Sequence, residues 1–144
     1  MNIENPIKEY HKSSHIVFSC LYHVIFCTKY RRKLLTDNIY TDLKVLIYKK
    51  AEEIQIKIIA LEIMPDHVHM IVDCNPRFGI HRVVKHIKGY TSHELRHKYK
   101  NLRTRIPTLW THSYFVSTVG SVSLDTVKKY IEDQKGNFKN DKNI

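Results

Sequence analysis

Cysteine is scarce in this 144-residue chain, with only Cys20, Cys27 and Cys74. An odd count without a C-x-x-C pair suggests neither a disulfide framework nor a zinc ribbon. Free thiols suit a reducing compartment, so a cytoplasmic location is expected. Glycine and proline number four each, and nowhere gather into a linker or low-complexity tract that would divide the chain. No run reaches the roughly 18 apolar residues of a membrane span. Residues 1–14 are polar, without the apolar stretch of a secretory signal. Acidic residues are also short, 14 against 24 Lys and Arg, which leaves a formal net charge of +10.

That charge is unevenly placed. From Arg77 to Arg105 there are nine Lys or Arg and one acid, Glu94, so this segment holds eight of the ten net charges. Lys29, Arg31, Arg32 and Lys33 form a second cluster. Concentrated positive charge favours a polyanion, most commonly nucleic acid, over a merely solvated basic face. The length fits one domain. Residues 15–136 are expected to form it, between a loose N-terminal segment (1–14) and a polar tail (137–144).

Residues 15–28 alternate β-branched and aromatic types, and predict one long strand buried on both faces for part of its length. Residues 37–53 predict a helix with Asp37 as N-cap. Residues 56–63 and 67–74 predict a hairpin around Met64-Pro65-Asp66, since proline breaks the ladder. Residues 79–99 predict a helix with a basic outer side, weakened at Gly89. Residues 112–119 predict a fourth strand. A last helix, capped by Ser123 and closed by Gly136, is expected to about 136. The fold class is therefore α+β: a ferredoxin-like, RRM-like antiparallel sheet in the order β-α-β-β-α-β, with an extra C-terminal helix. Such a fold hosts many functions, so the site must decide among them.

Two constellations carry chemistry. His67 and His69 lie two apart on a predicted strand, so both imidazoles project from one face while Val68 goes to the other. That suits two ligands on one metal ion; the bland alternative is two polar residues on an exposed strand. Tyr130 and Gln134 lie four apart on the last predicted helix and stack on one side of it. Gln134 stands roughly 50° and Tyr130 roughly 90° from the apolar stripe of Leu124, Val127 and Ile131. Gln134 is a neutral oxygen donor, reasonable as a third ligand beside two His. A divalent ion held by three protein groups keeps positions open for phosphate oxygens. A phenol, with a pKa near 10, is both an accessible nucleophile and a good leaving group. Attack by Tyr130 on a phosphodiester would conserve the bond energy and suit cut-and-rejoin chemistry.

At these residues the chain resembles the small single-tyrosine transposases of bacterial insertion sequences, members of the His-hydrophobic-His nuclease superfamily. The stretches that carry the likeness are YHVIFCTKYRRKLL (22–35), MPDHVHMIV (64–72), PTLWTHSYFVSTVG (107–120) and VKKYIEDQ (127–134). The resemblance implies that His67, His69 and Gln134 bind Mg²⁺ or Mn²⁺ and that Tyr130 is the nucleophile. Two imidazoles are softer than Mg²⁺ prefers, which favours Mn²⁺. It further implies a homodimer acting on single-stranded element ends with subterminal hairpins.

Arg31, Arg32, Arg82, Lys85, Lys88 and Arg96 are candidate DNA contacts, each lending affinity without sequence choice. His93 and His97, four apart, offer a zinc pair that ranks below phosphate contact or solvation. Tyr22 and Phe26 suit core packing better than base stacking, and Trp110 is expected to anchor the loop before the last strand. Two other functions compete. A non-catalytic single-strand-binding module would share the element order, but RNA-recognition domains carry aromatics on the third strand, where this chain reads HVHMIVDC. A domesticated relative processing repeat hairpins would use the same chemistry in another role.

Overall fold

A computed structural model describes residues 11–13, 16–18, 20–119, 129, 132 and 133. Its elements are β1 (His11–Ser13), β2 (Ile16–Phe18), β3 (Leu21–Cys27), α1 (Asp37–Glu53), β4 (Lys57–Met64), β5 (His67–Asp73), α2 (Ile80–Lys98), α3 (Lys100–Thr104) and β6 (Phe115–Thr118). β3 to β6 form an antiparallel sheet in the order β4-β5-β3-β6, as a ferredoxin-like arrangement requires.

Period-2 alternation sorts the sheet into two faces. Val24 and Phe26 of β3 and Val68, Met70 and Val72 of β5 are fully buried in one core. Leu43, Ile47 and Ala51 of α1 and Val83, Val84, Ile87 and Leu95 of α2 complete that core. The spacings of these helix residues make one apolar side per helix, which packs on the sheet. The other sheet face carries His23, Ile25 and Cys27 beside His67, His69 and Ile71.

Four sequence expectations need correction. The single strand over 15–28 is divided: Ile16–Phe18 pairs with His11–Ser13 in a separate two-stranded sheet, and only Leu21–Cys27 joins the main one. Alternation runs unbroken across the change of partner, so the pattern does not mark it. The same pairing puts residues 11–13 of the expected loose N-terminal segment into a strand. Asp37 is not the N-cap; Thr36 takes that position and its carbonyl accepts from the amides of Ile39 and Tyr40. The fourth strand is Phe115–Thr118 rather than 112–119; before it, the carbonyls of Thr111, His112 and Ser113 turn to the Lys88 ammonium at 2.6, 3.2 and 3.5 Å, and that of Ser113 also accepts from Thr111 Oγ1 at 3.1 Å.

Trp110 is anchored as expected. Its indole N–H donates to Thr91 Oγ1 at 3.0 Å, its ring meets Phe26 edge-on at 4.7 Å, and its backbone bridges to Thr28. Gly89 sits within α2 without interrupting it. Of the expected last helix only Lys129, Glu132 and Asp133 are described, and these are helical; Tyr130 and Gln134 lie outside the described residues.

Candidate active site

β5 lies between β4 and β3, so its side chains stand in the interior of the sheet rather than at an edge. His67 is opposite Cys27 and Met64, and His69 is opposite Ile25 and Glu62. Val68 between them is fully buried in the helix-side core. Strand periodicity thus brings both imidazoles to the sheet face opposite α1 and α2.

The two rings have different partners. His67 Nδ1 lies 2.8 Å from Asp66 Oδ1, while Asp66 Oδ2 accepts from an Arg31 amino group at 2.6 Å. An ionised carboxylate only accepts, so Nδ1 carries a proton. Burial alone would raise the Asp66 carboxyl. Hydrogen bonds from His67 and Arg31, with the positive charge of the Arg31 guanidinium, outweigh that and hold it below the usual carboxylate range. His69 Nε2 lies 3.2 Å from His23 Nδ1, one of the two carrying the shared proton. Burial first, and then the neighbouring His23, pushes His69 down to about 4; burial also lowers His23. His69 is therefore neutral at physiological pH, the form in which imidazole binds metal.

Of the three expected donors the two described are of a kind that suits a divalent ion: Asp66 holds Nδ1 of His67, which leaves Nε2 as the nitrogen to face an ion, and His69 is kept uncharged. Among the described residues no cluster of three or more His, Cys, Asp or Glu is placed to hold a metal. Cys27, opposite His67, does not serve: burial pushes its thiol up to about 11, far from the thiolate a soft ligand or nucleophile needs.

The six cationic candidates separate by environment. Arg82 and Lys85 are exposed on the outer side of α2, in an open groove also lined by Lys50, His86, Tyr90 and His93. Val83, Val84 and Ile87 of the same helix face the core, so the groove and the histidine face lie on opposite sides of the molecule. Arg32 is exposed beside the Tyr30 ring. Arg31 is nearly buried against Asp66, Lys88 is committed to the loop carbonyls, and an Arg96 amino group donates to Ile106 O at 3.2 Å. The His93 and His97 rings stack at 6.4 Å, with Glu94 3.6 Å from His93 Nδ1.

Sequence reasoning missed Asp66 and His23. Asp66 was a turn residue and His23 one step in an alternating strand. The adjacent Asp-His pair was the available signal for the first; the second depends on strand register.

Comparison with known proteins bears on the family and the fold. A family model described as "Transposase IS200 like" matches residues 16–134. The ISDra2 transposase TnpA of Deinococcus radiodurans is 32% identical over 128 residues, covering 88% of this chain and 91% of that protein. The transposase for insertion sequence element IS200 of Salmonella typhimurium is 26% identical over 127 residues, 85% of this chain and 84% of its own. A crystal structure of a candidate transposase from Deinococcus radiodurans superposes with a TM-score of 0.80 at 32% identity, covering 86% of this chain and 97% of that one. A REP-associated tyrosine transposase bound to a REP hairpin shares the fold, with a TM-score of 0.53 at 16% identity over 85% of this chain and 66% of its own.

Proposed function

The chain belongs to the family of IS200-like transposases, and from that premise we propose that it cuts and rejoins single-stranded DNA at the hairpin-bearing ends of an insertion sequence. The observation that carries the reading is the His67–His69 pair on an interior strand, one ring fixed by a carboxylate and the other kept neutral by burial.

In this reading His67, His69 and Gln134 would hold Mg²⁺ or Mn²⁺, which when bound would supply positive charge to the phosphate at the scissile bond. Tyr130 Oη attacks the phosphorus. An Oη–P bond forms, the P–O3′ bond breaks, and the phenol's proton is balanced by the one taken up on the released 3′-hydroxyl. A second 3′-hydroxyl then attacks the phosphotyrosine, the Oη–P bond breaks, and the strands are rejoined without an external energy source. His67 and His69 orient the phosphate and do not themselves change bonds. Arg82, Lys85 and Arg32 supply phosphate contacts, with Arg31, Lys88 and Arg96 acting chiefly within the protein. A homodimer is proposed with this activity. The likeness to insertion-sequence transposases at 32% identity favours a mobile-element role over repeat processing, for which the relation is one of fold alone.

The test uses labelled single-stranded DNA from the regions flanking the gene, with Mn²⁺ or Mg²⁺, on a denaturing gel. The expected result is a covalently shifted band that disappears with chelator and with Tyr130→Phe, while Tyr130→Phe still binds DNA. Cleavage persisting in Tyr130→Phe would remove the nucleophile assignment. Binding without cleavage by the wild-type protein in any lane would favour a non-catalytic module.

A further inference from the structure

Asp66 closes the turn between β4 and β5, a position that asparagine, serine or glycine would fill equally well. Its carboxylate is not required by the turn, yet it is placed between two committed partners. Oδ1 faces His67 Nδ1 at 2.8 Å and Oδ2 accepts from Arg31 at 2.6 Å. The side chains are only 9% (Arg31), 17% (Asp66) and 14% (His67) exposed. Charged groups are rarely so deeply placed without a specific reason.

The backbone that delivers Arg31 is itself unusual. Tyr30 and Arg31 have φ of 60° and 50°, in the left-handed region that non-glycine residues avoid. Such a conformation persists only where its surroundings over-determine it, and here they do. The Lys29 amide donates to Leu109 O at 2.8 Å and the Arg31 amide to Thr28 O at 2.9 Å. From the same segment, the Thr28 amide donates to Asp66 O at 3.0 Å and the Leu35 amide to Pro65 O at 2.9 Å. The exit from β3 and the β4–β5 turn are thus clasped together, with the Arg31–Asp66 pair at the contact. An arginine serving only as a solvated phosphate contact would need none of this.

We propose that Asp66, anchored by Arg31, is the positioning residue for His67: it fixes the imidazole in the Nδ1–H tautomer, turns its Nε2 lone pair to the metal and raises its donor strength. The inference rests on the reading of His67 as a metal ligand. A carboxylate on the far nitrogen of a ligating histidine acts in this way generally. Arg31 adds two effects of its own. It occupies Oδ2, so Asp66 does not rotate to become a ligand itself. It also offsets the carboxylate's charge at a site that must accept a phosphate. His69 Nε2, by contrast, faces the imidazole of His23 at 3.2 Å, so the two rings are held by different partners.

The experiment uses the full-length, metal-free protein and its Asp66→Asn, Asp66→Ala and His67→Ala variants. Mn²⁺ affinity is titrated without DNA, and the His67 tautomer is read by ¹⁵N NMR in the absence of metal. The expected wild-type signal is Nδ1–H. Asp66→Ala loses that preference and binds Mn²⁺ about 10–100-fold more weakly. Asp66→Asn, which can still accept from Nδ1–H, keeps the tautomer and falls between the two in affinity. It remains informative if the alanine variant does not fold. His67→Ala loses tight binding. Wild-type affinity in both Asp66 variants, with His67→Ala still defective, would overturn the positioning role and leave the metal site intact. Unchanged affinity in His67→Ala would overturn both.

Discussion

Trp110 and Thr91 give a prediction whose size follows from the structure. The indole N–H donates to Thr91 Oγ1 at 3.0 Å, and that hydroxyl donates to Ile87 O at 2.7 Å within α2. Thr91 is fully buried and Trp110 is 4% exposed. Replacing Thr91 with valine keeps the shape but leaves the indole N–H unsatisfied away from water, at a cost of about 1–3 kcal/mol. The Ile87 carbonyl suffers less, because the α-helical bond remains available to it. Trp110→Phe removes the donor instead, and costs about 1–2 kcal/mol through lost area and packing against Phe26. In the double variant no indole N–H remains to be orphaned. Its loss should therefore be smaller than the sum of the single losses by about 1 kcal/mol. Urea unfolding followed by circular dichroism supplies the cycle, with midpoints compared at constant slope. In a chain of 144 residues a loss of about 1.5 kcal/mol also lowers Tm by roughly 5 °C. Additive losses, to within about 0.3 kcal/mol, would refute the claim that this hydrogen bond couples α2 to the loop before β6.

Other consequences are as direct. His69 is pushed down to about 4 by burial, and His23 is lowered in the same sense. The folded state therefore binds fewer protons than the unfolded one between pH about 6.5 and 4, so stability is full above that window and falls through it. Because His69 remains partly in reach of solvent, a loss of about 1–2 kcal/mol is expected on going from pH 7.5 to 4.5; equal urea midpoints at the two values would contradict the assignment. Arg82→Ala and Lys85→Ala should each weaken binding of single-stranded DNA and flatten the dependence of log K on log salt by about 0.7, whereas an unchanged slope would remove those residues from the interface. Lys88→Met should cost about 2 kcal/mol by leaving the carbonyls of Thr111, His112 and Ser113 without their ammonium. It should also speed amide exchange in the 111–114 loop, and protection there equal to wild type would count against this role for Lys88.

The sheet and helix layer were legible because they depend on local periodicity. Val68 between His67 and His69 goes to the core because side chains alternate along a strand, and the apolar sides of α1 and α2 follow their helical spacing. What escaped depends on contacts between distant segments. Nothing in HIVFSC marks the point at which β2 leaves its partner and β3 begins. Nothing near Ser113 shows that its carbonyl will meet Thr111 Oγ1 and the ammonium of Lys88, 25 residues earlier, instead of joining the strand.

The same division runs through the candidate site, with a consequence for how basic clusters are weighed. Charge counting placed Arg31 with Arg32 as phosphate contacts, yet these adjacent residues, the last of the Lys29–Arg31 3₁₀ turn and the extended one after it, meet opposite fates. Arg32 is exposed beside Tyr30, while Arg31 turns inward onto Asp66 through a left-handed backbone. Lys88 and Arg96 likewise direct cations to carbonyl oxygens. A cation occupied in this way has fewer N–H groups to offer a phosphate, and transferring it would cost the interaction it already makes. Net charge therefore predicts the class of partner, since long-range attraction counts every cation. It overestimates the contact set, since a contact needs a cation that the fold has not already used.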